Sequence, residues 1–426
     1  MPTTTILRAR SAFAVLLAPV AAALCAGCGA VPDSPSAPGA AESSSSAWLE
    51  LVDADASSYA AGPFGDTFAL QFTDGDRAAS AGRIDAPGEV TAYSLGEVFP
   101  GDHLTLEVIA ADDGFDPAVA LFDTHQNWIH LNDDRHYYNR ELNPLADSVS
   151  RHYIEQAYVL VSSSPRAEST GAYELHVTKT PNVPYDEPAG QIIYLDFRGA
   201  SQVVIGRRDP VDVPTFSGEM IAPQFADYTE ELITSTTQRV REDFAGFNVT
   251  IIGSHEQDQP LTPHTTLYFG SYNSALLGIA DSVDTFNQRQ IQEAVIFVDT
   301  FSVFMSQEPT VTEIAHALAN VASHEAGHLL GLHHTADVRD IMDITASLRQ
   351  MLAPQSFGRA PLNTDTFPAG YQDAPGILLH NVGGDESVVL DTARRYRVAT
   401  RDLWYDGGPP DPARAHTRFS TGFACR

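Results

Sequence analysis

Apolar and polar residues alternate in short segments through the first half of the chain. Between about residue 48 and residue 181, segments of strand length are separated by Gly, Pro and Asp, among them residues 104–108, 118–122, 158–161 and 173–177. Alternation with a period of two is typical of half-buried β-strands, and Gly and Pro mark the turns between them. Several such strands at short spacing predict an all-β sandwich.

The pattern changes after residue 182. Strand-like segments are predicted at residues 191–197, 247–252, 266–269 and 294–298. Residues 229–244 instead place apolar side chains near one helical face. A second helix is predicted to begin at Thr310, because Thr310 and Glu313 have the spacing of a capping box, and to end near Gly331. Strands and helices therefore mix in this half, which indicates an α+β domain.

The clearest functional motif of this sequence lies on the second predicted helix. His324, Glu325, His328, Gly331 and His334 spell H-E-x-x-H-x-x-G-x-x-H. Two histidines four residues apart share one helical face, and a glycine with positive φ can turn the chain so that a third reaches the same point. Three protein ligands leave one zinc position for water, as in catalytic sites. The alternative is a helix with solvated or core histidines.

These residues, with Met342 a short loop later, resemble the metzincin clan of zinc endopeptidases. The resemblance implies a twisted, mostly parallel sheet, an active-site helix and a Met-turn. It also implies one catalytic zinc on His324, His328 and His334, with Glu325 as general base. No tyrosine follows two places after Met342, so the extra ligand of astacins is absent. His316 and His333 lack the spacing of ligands and are interpreted as neighbouring residues.

A segment between the last two predicted strands is the candidate for substrate binding. Residues 277–281 precede the strand at 294–298, in the position of the edge strand that binds substrate in this clan. A peptide would add to such an edge through main-chain hydrogen bonds. Asp281 and Asp284 lie beside it, and they are candidates for a structural calcium or for an ordinary solvated loop.

Residues 80–178 resemble the pre-peptidase C-terminal (PPC) domain, a β-sandwich that accompanies secreted bacterial peptidases. The resemblance rests on the order of short pieces such as 99–102, 121–123 and 170–173. Asp116, Asp133 and Asp134, with the nearby amide Asn132, are a second candidate calcium site, or else solvated turn formers. Asp102 fits the F-x-G-D pattern by which astacin propeptides place an aspartate on zinc, although the sandwich also needs a turn there.

Composition narrows the choice of partners. Lys and Arg number 25 against 55 Asp and Glu, for a net charge of −30 over 426 residues. This charge disfavours nucleic acid and anionic membrane surfaces as partners. The metzincin resemblance implies a protein or peptide substrate, and we expect a monomer. Only three cysteines occur, so no disulfide framework is expected, and no thiol is placed for a cysteine-switch zymogen.

The N-terminus has the features of a secretion signal. Arg8 and Arg10 precede an apolar run at 12–24 that is too short to span a bilayer. The run ends close to Cys28, which resembles a bacterial lipoprotein signal with Cys28 as the lipidated residue. Cys25 stands where that family usually has leucine, so ordinary secretion stays open. Either route predicts an extracellular or cell-envelope protein, attached to a membrane only through a lipid anchor.

The predicted organisation is multidomain, with an all-β sandwich followed by an α+β catalytic domain. Its parts are a signal peptide at 1–27, a flexible tether at 28–50, the PPC-like sandwich at 51–181, the metzincin-like catalytic domain at 182–345 and a C-terminal subdomain or extension at 346–426. The predicted function is a zinc-dependent endopeptidase. The alternatives are a non-catalytic cell-surface protein that binds polymer, and a metallohydrolase of small amides.

Overall fold

The computed structural model describes residues 52–53, 59–73, 75–135, 140–165, 167–390 and 392. The predicted signal, the tether, Cys28 and residues 393–426 lie outside this part of the chain. No helix within the described residues is long and apolar enough to cross a membrane.

The first part of the fold consists of two mostly antiparallel sheets. One has five strands in the order β1-β4-β11-β6-β9, and the other has six in the order β2-β3-β5-β10-β7-β8. The strands are β1 (Val52–Asp53), β2 (Tyr59–Gly62), β3 (Gly65–Ala69), β4 (Arg77–Ile84), β5 (Val90–Val98), β6 (His103–Ala110), β7 (Pro117–Phe122), β8 (Trp128–Asn132), β9 (Leu145–Val149), β10 (Ile154–Ser163) and β11 (Gly171–Thr180).

The two sheets share one hydrophobic core. Alternate residues of β5, β6, β10 and β11 face each other in it, and the hydroxyls of Tyr93 and Tyr173 meet at 3.0 Å across the core. The alternating pattern of the sequence thus arises because one face of each strand is buried. We call residues 52–180 the N-terminal β unit.

The second part contains a five-stranded sheet in the order β15-β12-β16-β18-β17, in which only the edge strand β17 is antiparallel. A small hairpin, β13-β14, accompanies it. The strands are β12 (Gln191–Asp196), β13 (Ala200–Val203), β14 (Val211–Val213), β15 (Val249–Gly253), β16 (Thr265–Phe269), β17 (Gly278–Ala280) and β18 (Glu293–Ile296). The expectation of a sheet-rich protein whose second part mixes strands and helices is confirmed.

Two long helices pack together on the sheet, α1 (Thr229–Asp243) and α2 (Val311–Leu329). The predicted capping box is present, since Thr310 and Glu313 cap the first turn of α2 reciprocally. Asp243 forms a buried ion pair with Arg239 of the same helix, and it joins α1 to α2 by accepting a hydrogen bond of 2.8 Å from Ser323. From Ala317 to Leu329, α2 is buried on every side.

The chain then forms smaller elements that contact both parts. These are α3 (Leu348–Met351), β19 (Arg359–Pro361), β20 (Tyr371–Asp373) and α4 (Ala374–Val382), and 3₁₀ helices precede α1 and α2 at Gly218–Met220, Pro223–Tyr228 and Val298–Gln307. Leu362 and Phe367 pack against the outer face of β7. Strand β7 is therefore buried on both faces, which explains why its six residues are nearly all apolar.

A candidate metal centre on the long buried helix

Helix α2 places two imidazoles beside each other in the interior. His324 and His328 are at most 1% exposed, and their Nε2 atoms are 3.0 Å apart. This proximity follows from the four-residue spacing, because residues i and i+4 lie above one another on a helix.

A tight turn brings the third histidine to the same point. Helix α2 ends at Leu329, and Gly331 takes a φ of +95°, a conformation that suits glycine. The N–H groups of Gly331 and Leu332 donate back to the carbonyls of His328 and Gly327, each at 2.9 Å. Ligand nitrogens of His324, His328 and His334 consequently lie within 4.8 Å of one another.

Hydrogen bonds orient all three rings toward a common centre. Nδ1 of His324 donates to the carbonyl of Ile341 and Nδ1 of His328 to that of Leu332, both at 2.7 Å. Nδ1 of His334 lies 3.3 Å from a carboxylate oxygen of Asp365. With the proton held on Nδ1, each Nε2 presents a lone pair, which is how a ligating histidine is prepared.

These residues fit a zinc ion. Two unprotonated Nε2 atoms at 3.0 Å repel each other unless a cation lies between them. Burial lowers the pKa of both His324 and His328 well below the usual value, and the neighbouring imidazoles add to the shift, so the neutral form needed for ligation is favoured. Zn–N bonds of about 2.0–2.1 Å are compatible with nitrogens at these separations.

Glu325 lies beside the three imidazoles without belonging to their cluster. Its side chain is 1% exposed, and neither carboxylate oxygen accepts a hydrogen bond from the described residues. Burial raises the pKa of Glu325 well above its usual value, and the nearby N–H of Ala280 offsets only part of this effect. A buried carboxyl group without fixed partners is suited to exchange a proton with a bound molecule.

Strand β17 lies directly against this carboxyl group. A Cβ atom built on Gly278 would come 2.4 Å from Oε1 of Glu325, so only glycine leaves room for it. The predicted edge segment 277–281 thus contains a strand, and this strand forms the edge of the sheet next to the metal centre.

Met342 supports the centre from below. It is fully buried, and its sulfur lies 2.6 Å from where a Cβ on Gly327 would be. Gly327 separates Glu325 from His328 on the helix, so the methionine packs at the level of the ligands. The carbonyl of the preceding residue, Ile341, is the one that orients His324.

Calcium at Asp281 and Asp284 is not supported. Asp281 accepts from the N–H of Gly206 at 2.7 Å and is paired with Arg289. Asp284 is completely buried and accepts from the backbone of Gln288 and Arg289 and from the side chain of Gln292. Protein donors therefore occupy these carboxylates, and Asp284 organises the loop in which it lies.

The second acidic group, Asp116, Asp133 and Asp134, remains a candidate calcium site only because of its residue types. Asp133 is close enough to raise the pKa of both Asp116 and Asp134, but among the described residues only the three histidines form a cluster with metal-ligand spacing. Burial, reinforced by Asp133, raises the pKa of Asp116 to about 6 and that of Asp134 to about 7.

The contacts of Asp102 do not support the interpretation that it is an aspartate switch. Its carboxylate accepts from the N–H of Phe99 at 2.9 Å and pairs with Lys179 at 3.2 Å. All three residues belong to the N-terminal β unit, so Asp102 braces the turn before β6.

The remaining histidines of the helix region have other surroundings. His316 is half-buried and lies outside the cluster, and His333 is buried against Trp128 of β8. Sequence reasoning missed Asp365 as the partner of His334 and Gly278 as the residue that leaves room for Glu325. No spacing rule relates these residues to the helix, so no signal in the sequence could have identified them.

A cavity of about 430 Å³ lies elsewhere, between the N-terminal β unit and α4. Trp128, Phe286, His152 and His380 are among its lining residues, and the three clustered histidines are not. The three converging histidines and the buried carboxyl group of Glu325 therefore indicate the functional site better than the size of the cavity does.

A family model and several solved structures are similar to parts of this chain. The family model described as matrixin matches residues 118–355. Among solved structures, archaemetzincin from Methanopyrus kandleri matches with 13% identity over 40% of this chain and 89% of its own (TM-score 0.23). The PPC domain of Bacillus anthracis collagenase shows 15% identity, with 26% and 92% of the two chains covered (TM-score 0.20). The Aeromonas hydrophila lysozyme inhibitor PliG shows 15% identity, with 27% and 96% covered (TM-score 0.22). No curated protein matches the sequence.

Proposed function

Because this chain belongs to the matrixin family of metzincin zinc metallopeptidases, we propose that it is an endopeptidase that uses Glu325 as its general base. The observation that carries this proposal is the buried, unbonded carboxyl group of Glu325 beside three convergent imidazoles. A protein that only binds polymer has no need of such a group.

Each residue of the centre has a defined role in this proposal. His324, His328 and His334 would hold zinc, which when bound supplies a Lewis acid and lowers the pKa of water to about 7. Glu325 accepts a proton from the water that attacks the scissile carbonyl, and then gives it to the leaving amine nitrogen. The raised pKa of this buried carboxyl favours the first transfer, because it makes the carboxylate a stronger base toward the attacking water.

Strand β17 supports cleavage within a chain rather than at its end. It pairs with β18 on one side only, and no other described strand pairs with its outer edge. An extended peptide can therefore add to this edge through main-chain hydrogen bonds, which are independent of the peptide's termini. Gly278 lies in this strand next to Glu325, so a peptide held there would pass the catalytic carboxyl group.

The proposed setting is outside the cytoplasm. The support is the N-terminal sequence, in which Arg8 and Arg10 precede an apolar run and Cys28 is the candidate for lipidation. The net charge of −30 supports a protein or peptide substrate over nucleic acid, and we propose a monomer.

The test is the Glu325→Gln variant of the full chain, compared with wild type and His328→Ala. Glutamine keeps the size of the side chain but cannot accept the proton. Cleavage of casein should fall by about 10²–10⁴-fold in Glu325→Gln, while zinc content stays near that of wild type. His328→Ala should lose both zinc and activity, and fragments should show internal cuts.

Two results would refute the proposal. If Glu325→Gln cleaved casein as fast as wild type, Glu325 would not be the base. If the zinc-loaded wild type released only terminal residues or cut no protein, the endopeptidase assignment would be wrong.

A further inference from the structure

A tryptophan of the N-terminal β unit touches the residue next to the third zinc ligand. Trp128 is 2% exposed at the start of β8, and its ring meets that of His333 edge-on, with centroids 4.9 Å apart. His333 directly precedes His334 in the chain. The contact is therefore one residue from the metal centre, although Trp128 belongs to a separate sheet.

Gln372 of β20 joins these two residues through three hydrogen bonds. Its side-chain oxygen accepts from the indole N–H of Trp128 at 3.1 Å and from the backbone N–H of His333 at 2.8 Å. Its side-chain nitrogen donates to the carbonyl of His333 at 2.8 Å. All of these groups are buried.

The indole and the backbone of His333 agree on which way this amide points. Trp is only a donor, and the N–H of His333 also needs an acceptor, whereas the carbonyl of His333 needs a donor. Only one orientation of the Gln372 amide satisfies all three groups. Trp128 thus adds a hydrogen bond that helps to hold Gln372, and Gln372 holds both backbone groups of His333.

His334 depends on such support more than the other two ligands do. His324 and His328 are held by the hydrogen bonds of α2, but His334 lies beyond the helix end, where no regular element positions it. Its own backbone carbonyl accepts from Asn363 at 3.0 Å. Gln372 holds the backbone of His333, immediately before His334. The hydrogen bond from Trp128 to Gln372 therefore helps to determine where the imidazole of His334 lies.

The rest of the contact between the two parts is built to keep Trp128 in place. The N–H of Tyr371 donates to the carbonyl of Gln126 at 2.9 Å. Arg359 donates to the side chain of Asn127 and to the carbonyl of His125, both at 2.6 Å, and stacks on Tyr371 at 3.9 Å. The β7–β8 turn is therefore fastened to the hairpin that carries Gln372.

We propose that the N-terminal β unit is a structural part of the metal centre, with Trp128 as a positioning residue that acts on His334 through Gln372 and His333. This inference rests on the proposed zinc site. A β unit with this role differs from an accessory domain that only anchors the enzyme. The zinc affinity of the catalytic part would depend on Trp128, which belongs to another sheet.

The test measures zinc affinity in the full chain by competition with a chromophoric chelator. Trp128→Phe keeps an aromatic ring but removes the indole N–H. We expect its zinc affinity to fall by about 10-fold, the lower end of the effect of losing an outer partner of a ligand. The visible spectrum of the cobalt-substituted variant should change as well, since that spectrum reports the ligand geometry.

Tyr93→Phe is the matched control. It removes one buried hydrogen bond from the same β unit, the 3.0 Å contact with Tyr173, which is remote from His333. Its zinc affinity and cobalt spectrum should equal those of wild type. If Trp128→Phe does not fold, Arg359→Ala, which removes an exposed clamp on the same turn, should weaken zinc binding by about 2–5-fold relative to Tyr93→Phe.

Equal zinc affinity in Trp128→Phe and wild type would overturn the inference, and so would an equal loss in Trp128→Phe and Tyr93→Phe. These outcomes are separate from a failure of the proposed function. A chain that binds zinc in a Trp128-dependent way but cuts no protein would refute the endopeptidase and leave the positioning role standing.

Discussion

Gly278 and Glu325 are in such close contact that a single methyl group on the glycine would collide with the carboxyl group of Glu325, at 2.4 Å from Oε1. Strand β17 and helix α2 therefore approach each other closely at this point. The proposed substrate edge and the proposed general base are adjacent because position 278 has no side chain.

Gly278→Ala should displace Glu325 and reduce peptide cleavage by at least about 10-fold, since small misplacements of a catalytic group are costly. Zinc content should be unchanged, because the three histidines do not contact Gly278. Steady-state kinetics and metal analysis would measure both. Gly190→Ala is the control, because its Cβ would also be crowded, at 2.9 Å from the carbonyl of Asn248, but at a distance from Glu325. Equal activity in the two variants would contradict the prediction.

Asp365→Asn should weaken zinc binding by about 10-fold, because the carboxylate next to Nδ1 of His334 orients the ring and makes it a better ligand. Chelator competition would measure this. Asp337→Asn removes a nearby carboxylate that pairs with Arg339 at 2.6 Å, and zinc binding should be unaffected. An unchanged affinity in Asp365→Asn would show that the 3.3 Å contact does not act on the metal.

Gly331→Ala should lose zinc as well as stability. The residue has a φ of +95°, and an added Cβ would lie 2.8 Å from Asn381 and 3.0 Å from the carbonyl of Asp284. Gly114→Ala provides the matched strain without crowding, since Gly114 has a φ of +85° and no atom within 4 Å of its Cβ position. Both variants should be destabilised by about 1–2 kcal/mol, but only Gly331→Ala should bind zinc weakly. Normal zinc binding in Gly331→Ala would be the contrary result.

Asp134→Asn should make the protein more stable at pH 8 but not at pH 4. Burial, with the charges of Asp133 and Asp116, raises the pKa of Asp134 to about 7 in the folded state from a usual value of 3.8. Between about pH 4 and pH 7 the folded state therefore binds more protons than the unfolded state, so stability falls as the pH rises through this window and stays lower above pH 7. After allowance for solvent screening we expect a gain of about 1 kcal/mol at pH 8, or roughly 2–4 °C in melting temperature.

Thermal melts at both pH values, with and without millimolar calcium, would measure this effect. Calcium bound by the acidic group would raise the melting temperature of wild type at pH 8 and not that of Asp134→Asn. A variant no more stable than wild type at pH 8 would show that Asp134 is not strained by its neighbours.

Much of the centre could be predicted without coordinates because its key relations are local. His324, Glu325 and His328 share a helix, and helical geometry alone sets their relative positions. Thr310 and Glu313 are three residues apart, so the start of that helix was equally predictable, and the structure confirms it. The segment at 277–281 was predicted as an edge strand from its position before the strand at 294–298 and from the metzincin resemblance, and β17 lies within it.

The supports of these residues depend on contacts between distant parts of the chain. Asp365 meets His334 across 31 residues, and Trp128 meets Gln372 across 244. No periodicity relates positions so far apart, so only the folded chain brings them together. The acidic loops show the same limit, because a carboxylate that caps a loop, as Asp284 does, has the same sequence appearance as one that binds calcium. Local backbone geometry depends on residues that are neighbours in the sequence, whereas the partner of a side chain depends on how the sheets and helices pack.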